Sequence, residues 1–139
     1  MRLGIKLFLL LIMSASVSAQ YIPKFDLQGH RGARGLKPEN TIPAFIAALD
    51  YGVTTIELDV VITKDKQVLV SHEPWISGEI CLKPDSTLIT KSDDKVFNIY
   101  QMTYKEVAKF DCGLKVNERF PGQEKIAVRK PLLIDVIAA

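Results

Sequence analysis

The chain has 139 residues, 47% of them hydrophobic and 24% charged, with 18 basic side chains against 16 acidic ones. Two of the basic residues, Arg2 and Lys6, fall in an apolar leader, so the remainder is formally neutral. That balance excludes nucleic-acid binding through a broad basic surface, which needs many phosphate contacts, but allows a small phosphodiester held by one or two local charges.

Arg2 and Lys6 precede the apolar run Leu7 to Met13, and Val17-Ser18-Ala19 has the small side chains of a cleavage site. Residues 1–19 are therefore expected to be a signal peptide, and 20–139 an exported domain, secreted or periplasmic. The apolar run is well short of the ~20 residues of a membrane span, and no second run follows, so no stable span is expected. Export would place Cys81 and Cys112 where a disulfide can persist. Their spacing does not suggest zinc, and bridged and unbridged forms both stay open. The oligomeric state leaves no trace in the sequence.

Phe25 to Gln28 predicts a short strand running into the turn Gly29-His30-Arg31-Gly32. Asn40 is the expected N-cap of a helix that tolerates Pro43 in its first turn. Ile42, Phe45, Ile46 and Leu49 recur at helical spacing, and Gly52 suits the stop. Thr54 to Ile62 alternates and is β-branched, which predicts one strand; a turn over Thr63 to Lys66 leads to a second, Gln67 to His72. Strand, helix, strand opens an α/β fold. Residues 75–125 have a different texture and are expected to form a small inserted subdomain, with strand-like runs at Thr87 to Thr90 and Val96 to Tyr100. Within them Thr103 and Glu106 form a capping box. Pro131 opens a last helix with Leu132, Leu133, Val136 and Ile137 on one face.

The chemistry gathers between Gln28 and Trp75. Glu57 and Asp59 stand two apart on a strand and so share a face. Paired carboxylates turned inward need compensation, and their hard oxygens suit Ca²⁺ or Mg²⁺. A tight hairpin closed by Thr63 and Lys66 would set His72 opposite Glu57, whereas a slip of one residue would turn it to the other face. Glycines bracket His30 and Arg31, allowing a ligand to approach closely. A guanidinium there can grip a phosphate, and two imidazoles near two acids can act as general base and general acid. Glu39 either assists the site or only favours the helix N-terminus; Trp75 either lines a substrate pocket or packs under the insertion. Arg34 and Lys37 read as solvated loop charges.

His30-Arg31-Gly32, Pro38-Glu39-Asn40-Thr41, Glu57-x-Asp59, the Thr63-Lys64-Asp65 turn and His72, in this order and spacing, resemble the glycerophosphodiester phosphodiesterase family. Phe120-Pro121 through Pro131-Leu132 resembles a weaker downstream part of its secreted bacterial members. The resemblance implies a TIM-type (β/α) barrel of the PLC-like phosphodiesterase kind with a small inserted subdomain. It implies His30 and His72 as the catalytic acid/base pair, Arg31 on the substrate phosphate, and Glu57 and Asp59 as ligands of a divalent cation. The reaction it implies cleaves small glycerophosphodiesters to glycerol 3-phosphate and an alcohol. Such a barrel typically has ~250 residues and eight strands. Similar enzymes carry a further glutamate, with a lysine nearby, on a strand after the helix that begins here at Pro131. The expectation is therefore the N-terminal portion of a barrel, with little turnover on its own. The alternatives are a phospholipase D-like or phosphoinositide-cleaving barrel enzyme, separated by product analysis, and a non-catalytic remnant that binds metal or phosphate weakly.

Overall fold

A computed structural model describes residues 24–93 and 95–139; the expected signal peptide lies outside them. Strand β1 (Gln28–His30) and strand β2 (Thr55–Glu57) pair in parallel, with His30 opposite Glu57, across helix α1 (Ile42–Asp50). A parallel pair requires such a crossover, because the chain must return to the same end of the sheet. Strands β3 (Val60–Ile62) and β4 (Val68–Val70) form a separate antiparallel hairpin. Helix α2 (Tyr104–Val107) and helix α3 (Leu133–Ala138) follow. Among the described residues no helix is long and apolar enough to cross a membrane.

Helix α1 seats Ala44, Phe45 and Ala48 against the parallel pair, and it can come close because its neighbours lack side chains. A Cβ on Gly29 would lie 2.9 Å from that of Ala48; on Gly32, at φ +76°, it would lie 2.7 Å from the backbone carbon of Ala44. Gly52 ends the helix at φ +77° with nothing within 4 Å of its missing Cβ. Gly52→Ala is thus expected to cost only the left-handed backbone strain, about 1 kcal/mol. Gly32→Ala adds a clash with rigid backbone, for about 2–3 kcal/mol in total. Denaturant midpoints check the pair, and equal losses would refute the close approach.

The N-cap is Thr41 rather than Asn40: its hydroxyl accepts from the backbone N–H of Ala44. Asn40 takes φ +55° and spends its amide on Asp59 instead. The single strand expected over Thr54 to Ile62 breaks at Leu58-Asp59, where the chain leaves its parallel partner for an antiparallel one. The hairpin register also differs from the expected one. Val60 pairs with Val70 and Ile62 with Val68, because Lys66 adopts φ +62° and the loop gains one residue, closed by Thr63 and Gln67. This is a three-residue loop ending in a left-handed residue.

The larger core lies between the hairpin and the insertion. Leu69, Ile76, Ile89, Ile99, Val107 and Phe110 are buried there together with Cys81 and Cys112, which are joined as a disulfide. The ring edge of Phe97 meets Phe110 at 5.0 Å between centroids. The expected insertion strands are reduced to single bridges, Leu82 to Leu88 and Trp75 to Asn98, with short 3₁₀ turns at Lys91–Asp93 and Ile99–Gln101. Thr103 and Glu106 do form the capping box of α2. Asp93 fastens the first 3₁₀ turn. The Lys83 ammonium at 2.7 Å, with donors from Thr90, holds its carboxyl down to about 2. A depressed carboxylate stabilises the fold above the unfolded value of 3.8 and loses that contribution as pH falls toward 2. Asp93→Asn should therefore melt below the parent at pH 7, with the gap closing between about pH 4 and pH 2.

Candidate active site at the end of the parallel strands

Arg31 organises the site, and an unusual backbone places it. Just beyond β1 it takes φ +56°, a conformation rarely adopted by a non-glycine residue and often found where strain serves function. Its backbone N–H donates to Glu57 Oε2 at 2.8 Å, and its carbonyl accepts from Asn40 N–H at 3.0 Å. The side chain, 12% exposed, extends Nη1 to Glu39 Oε1 at 2.7 Å and brings Nε to 3.5 Å from Asp59 Oδ2. That Nε is buried and has no hydrogen-bond partner. Asn40 donates to the same Asp59 oxygen at 3.1 Å.

His30 lies beside this group, with Nε2 3.8 Å from Glu57 Oε2 and more than half of its side chain open to solvent. Their proximity follows from the parallel register, which sets residues 30 and 57 opposite one another. The imidazole facing Glu57 is thus His30, not His72 as the predicted hairpin register required. His72 instead pairs its Nδ1 with Glu73 Oε1 at 2.8 Å and lines a small cavity of about 80 Å³ together with Arg31, Glu39 and Lys130. The structure brings His30, Arg31, Glu57 and Asp59 into one cluster, and His72 shares with Arg31 the lining of that cavity.

Glu39 is the partner of the Arg31 guanidinium rather than a bare helix-end charge. Trp75 lines a neighbouring cleft of about 700 Å³, with the Lys95 ammonium 5.0 Å from its ring centre. Lys37 pairs with Glu124, and Arg34 lies over the Phe120 ring at 5.4 Å. Sequence reasoning missed Asn40, whose polar side chain was assigned to the cap, and Glu73, hidden beside the histidine. It also missed Lys130, only 3% exposed, whose signal was the second of two adjacent cations, Arg129-Lys130, before an apolar helix start. Burial pushes its ammonium down to about 8, opposed by the carboxylates of Glu39 and Glu73.

Glu57 and Asp59 supply hard oxygens of the kind a divalent cation takes. Among the described residues, however, no group of three or more His, Cys, Asp or Glu side chains is disposed to hold a metal ion. The pair fits part of a coordination shell and not a whole one.

The glycerophosphoryl diester phosphodiesterase family model matches residues 30–138, and the chain belongs to that family. The chain is 36% identical over 107 residues to the glycerophosphodiester phosphodiesterase of Caldanaerobacter subterraneus subsp. tengcongensis, covering 77% of this chain and 37% of that protein. It is 52% identical over 108 residues to a glycerophosphodiester phosphodiesterase of Bacillus altitudinis, covering 78% and 37%. Among solved structures, a putative glycerophosphoryl diester phosphodiesterase from Silicibacter pomeroyi superposes with TM-score 0.72 at 32% identity, covering 80% of this chain and 38% of that one. The chain therefore spans somewhat over a third of the length of these relatives, and its fold is part of a TIM-type phosphodiesterase barrel.

Proposed function

We propose that this chain carries the phosphate-gripping and proton-moving part of a longer, secreted glycerophosphodiester phosphodiesterase. The observation that carries the reading is the convergence of Arg31 with His30, Glu57 and Asp59 at the end of the parallel strands, with His72 lining a cavity that Arg31 also lines. The family match supplies the reaction class. The Cys81–Cys112 bridge supports an oxidising compartment, the setting in which such bonds persist.

In this reading Arg31 neutralises the phosphoryl oxygens through its planar fork of donors. Glu73 holds Nδ1 of His72, leaving its Nε2 for proton transfer, while the largely solvent-open His30 ring keeps its Nε2 3.8 Å from Glu57, within reach of the same acid. One imidazole takes a proton from the attacking oxygen while the other gives one to the departing alkoxide, contributions typically of about 10²–10⁴-fold each. Glu57 and Asp59 are the residues that would hold a Ca²⁺ or Mg²⁺ ion, whose charge would offset that of the phosphoryl group. The neighbouring cleft, with Trp75, Ile89 and Thr90 on its wall, receives the alcohol portion of the diester.

The test is product analysis with the whole protein and glycerophosphocholine. Glycerol 3-phosphate and choline are expected, with turnover abolished by a chelator and restored by Ca²⁺ or Mg²⁺. Release of phosphocholine, or turnover indifferent to chelation, contradicts the reading.

A further inference from the structure

Lys130 is an oddity of this site. The residue is 3% exposed, lies directly before the Pro131–Leu132 entry to α3, and takes part in none of the ion pairs among the described residues. Its backbone is held in place: the carbonyl accepts from the Tyr104 hydroxyl at 3.4 Å, and the next carbonyl accepts from Val70 N–H at 2.9 Å. A lysine enclosed to this degree outside every ion pair is expensive, and such residues mark either a counter-ion role or a site for an anion. The acids around it are largely engaged elsewhere, Glu39 with Arg31, Glu73 with His72 and Asp59 with Asn40.

The cavity settles which role the geometry favours. Lys130 lines it together with Arg31, whose buried Nε lacks a hydrogen-bond partner, with His72 and Arg119, and with Glu39, Glu73 and Glu79. A lysine outside every ion pair and an arginine Nε without a hydrogen bond, on the wall of one small cavity, suit an anion with several acceptor oxygens. We infer that Lys130 is a second phosphate-binding cation, gripping the phosphoryl group of the substrate alongside Arg31. The inference rests on the proposed function only for the identity of that phosphate; the anion site itself stands on the cavity and its lining. Lys130 differs from the lysine that the family resemblance places on a later strand, because it precedes α3 rather than following it.

The experiment titrates inorganic phosphate into the whole protein at constant ionic strength, read by calorimetry. Lys130→Met is expected to weaken phosphate binding at least tenfold, and Lys130→Arg to keep it within about threefold. Unchanged affinity in a Lys130→Met protein that melts like the parent would show Lys130 to be a mere counter-ion and overturn the inference. Absence of phosphate binding by the parent overturns it as well. Should Lys130→Met fail to fold, the parent with ¹³Cε-labelled lysine gives the same answer. The Lys130 resonance, assigned by its loss in Lys130→Arg, shifts with phosphate if the inference holds and stays fixed if it does not. Phosphate binding that depends on Lys130 in a protein that turns over no glycerophosphodiester would sink the proposed function alone. Turnover of the diester with phosphate affinity indifferent to Lys130 would sink this inference alone.

Discussion

Arg31→Lys is expected to lower kcat/KM of the whole protein for a glycerophosphodiester by at least about 100-fold, the scale of a lost transition-state donor. A lysine offers one compact charge where the guanidinium spans two acids, Glu39 at 2.7 Å and Asp59 at 3.5 Å. Whichever carboxylate it abandons is left half-buried without its cation, so a stability loss of about 1–3 kcal/mol should accompany the kinetic one. Arg31→Gly separates the two contributions of the residue. Glycine relieves the φ +56° strain at this position and returns part of the lost stability, yet it restores no turnover. Kinetics with glycerophosphocholine and denaturant midpoints measure both effects. An Arg31→Lys enzyme within threefold of the parent would mean that the phosphate is held elsewhere.

The second large effect concerns the insertion. Cys81 and Cys112 are bonded across a sequence separation of 31 residues, and both are buried in the larger core. Closing a loop of that size removes roughly 3–4 kcal/mol of chain entropy from the unfolded state. Replacing both cysteines by alanine should cost that much in equilibrium denaturation. Added reductant should do the same once it reaches the buried sulfurs. The bond also ties together the two arms that wall the large cleft, Ser77 to Glu79 on one side and Lys115 to Arg119 on the other. The double variant is therefore expected to bind the alcohol portion poorly, raising KM more than it lowers kcat. A loss below 1 kcal/mol would show that the native core, and not the cross-link, determines the stability of this region.

Local chemistry made several elements legible in advance. Thr103 and Glu106 declare a capping box in four letters, and Gly52 marks a helix end because little else takes its backbone angles freely. The βαβ order followed from periodicity, and His30, Arg31, Glu57 and Asp59 could be named from residue type and spacing. What failed depended on backbone choices that residue type only weakly encodes. Lys66 enters the left-handed region without being glycine or asparagine, and that one extra loop residue shifted the hairpin pairing. Asn40 had the composition of a cap but was recruited by Asp59, a partner distant in sequence, and the cap passed to Thr41. Lys130 was invisible for a related reason. A lysine at a turn reads as solvated until tertiary packing encloses it.

The break at Leu58-Asp59 gives the two acids different mechanical anchors. Glu57 answers to the ladder it shares with His30, whereas Asp59 moves with the hairpin through its carbonyl, which accepts from Ser71 N–H at 2.9 Å. A perturbation of either ladder therefore acts first on one carboxylate and reaches the other through Arg31, whose N–H holds Glu57 and whose Nε lies beside Asp59. Loosening the hairpin would alter the gap between the two acids while the backbone pairing of residues 30 and 57 stayed intact, so the spacing of the oxygen pair answers to a different ladder from the one that seats His30.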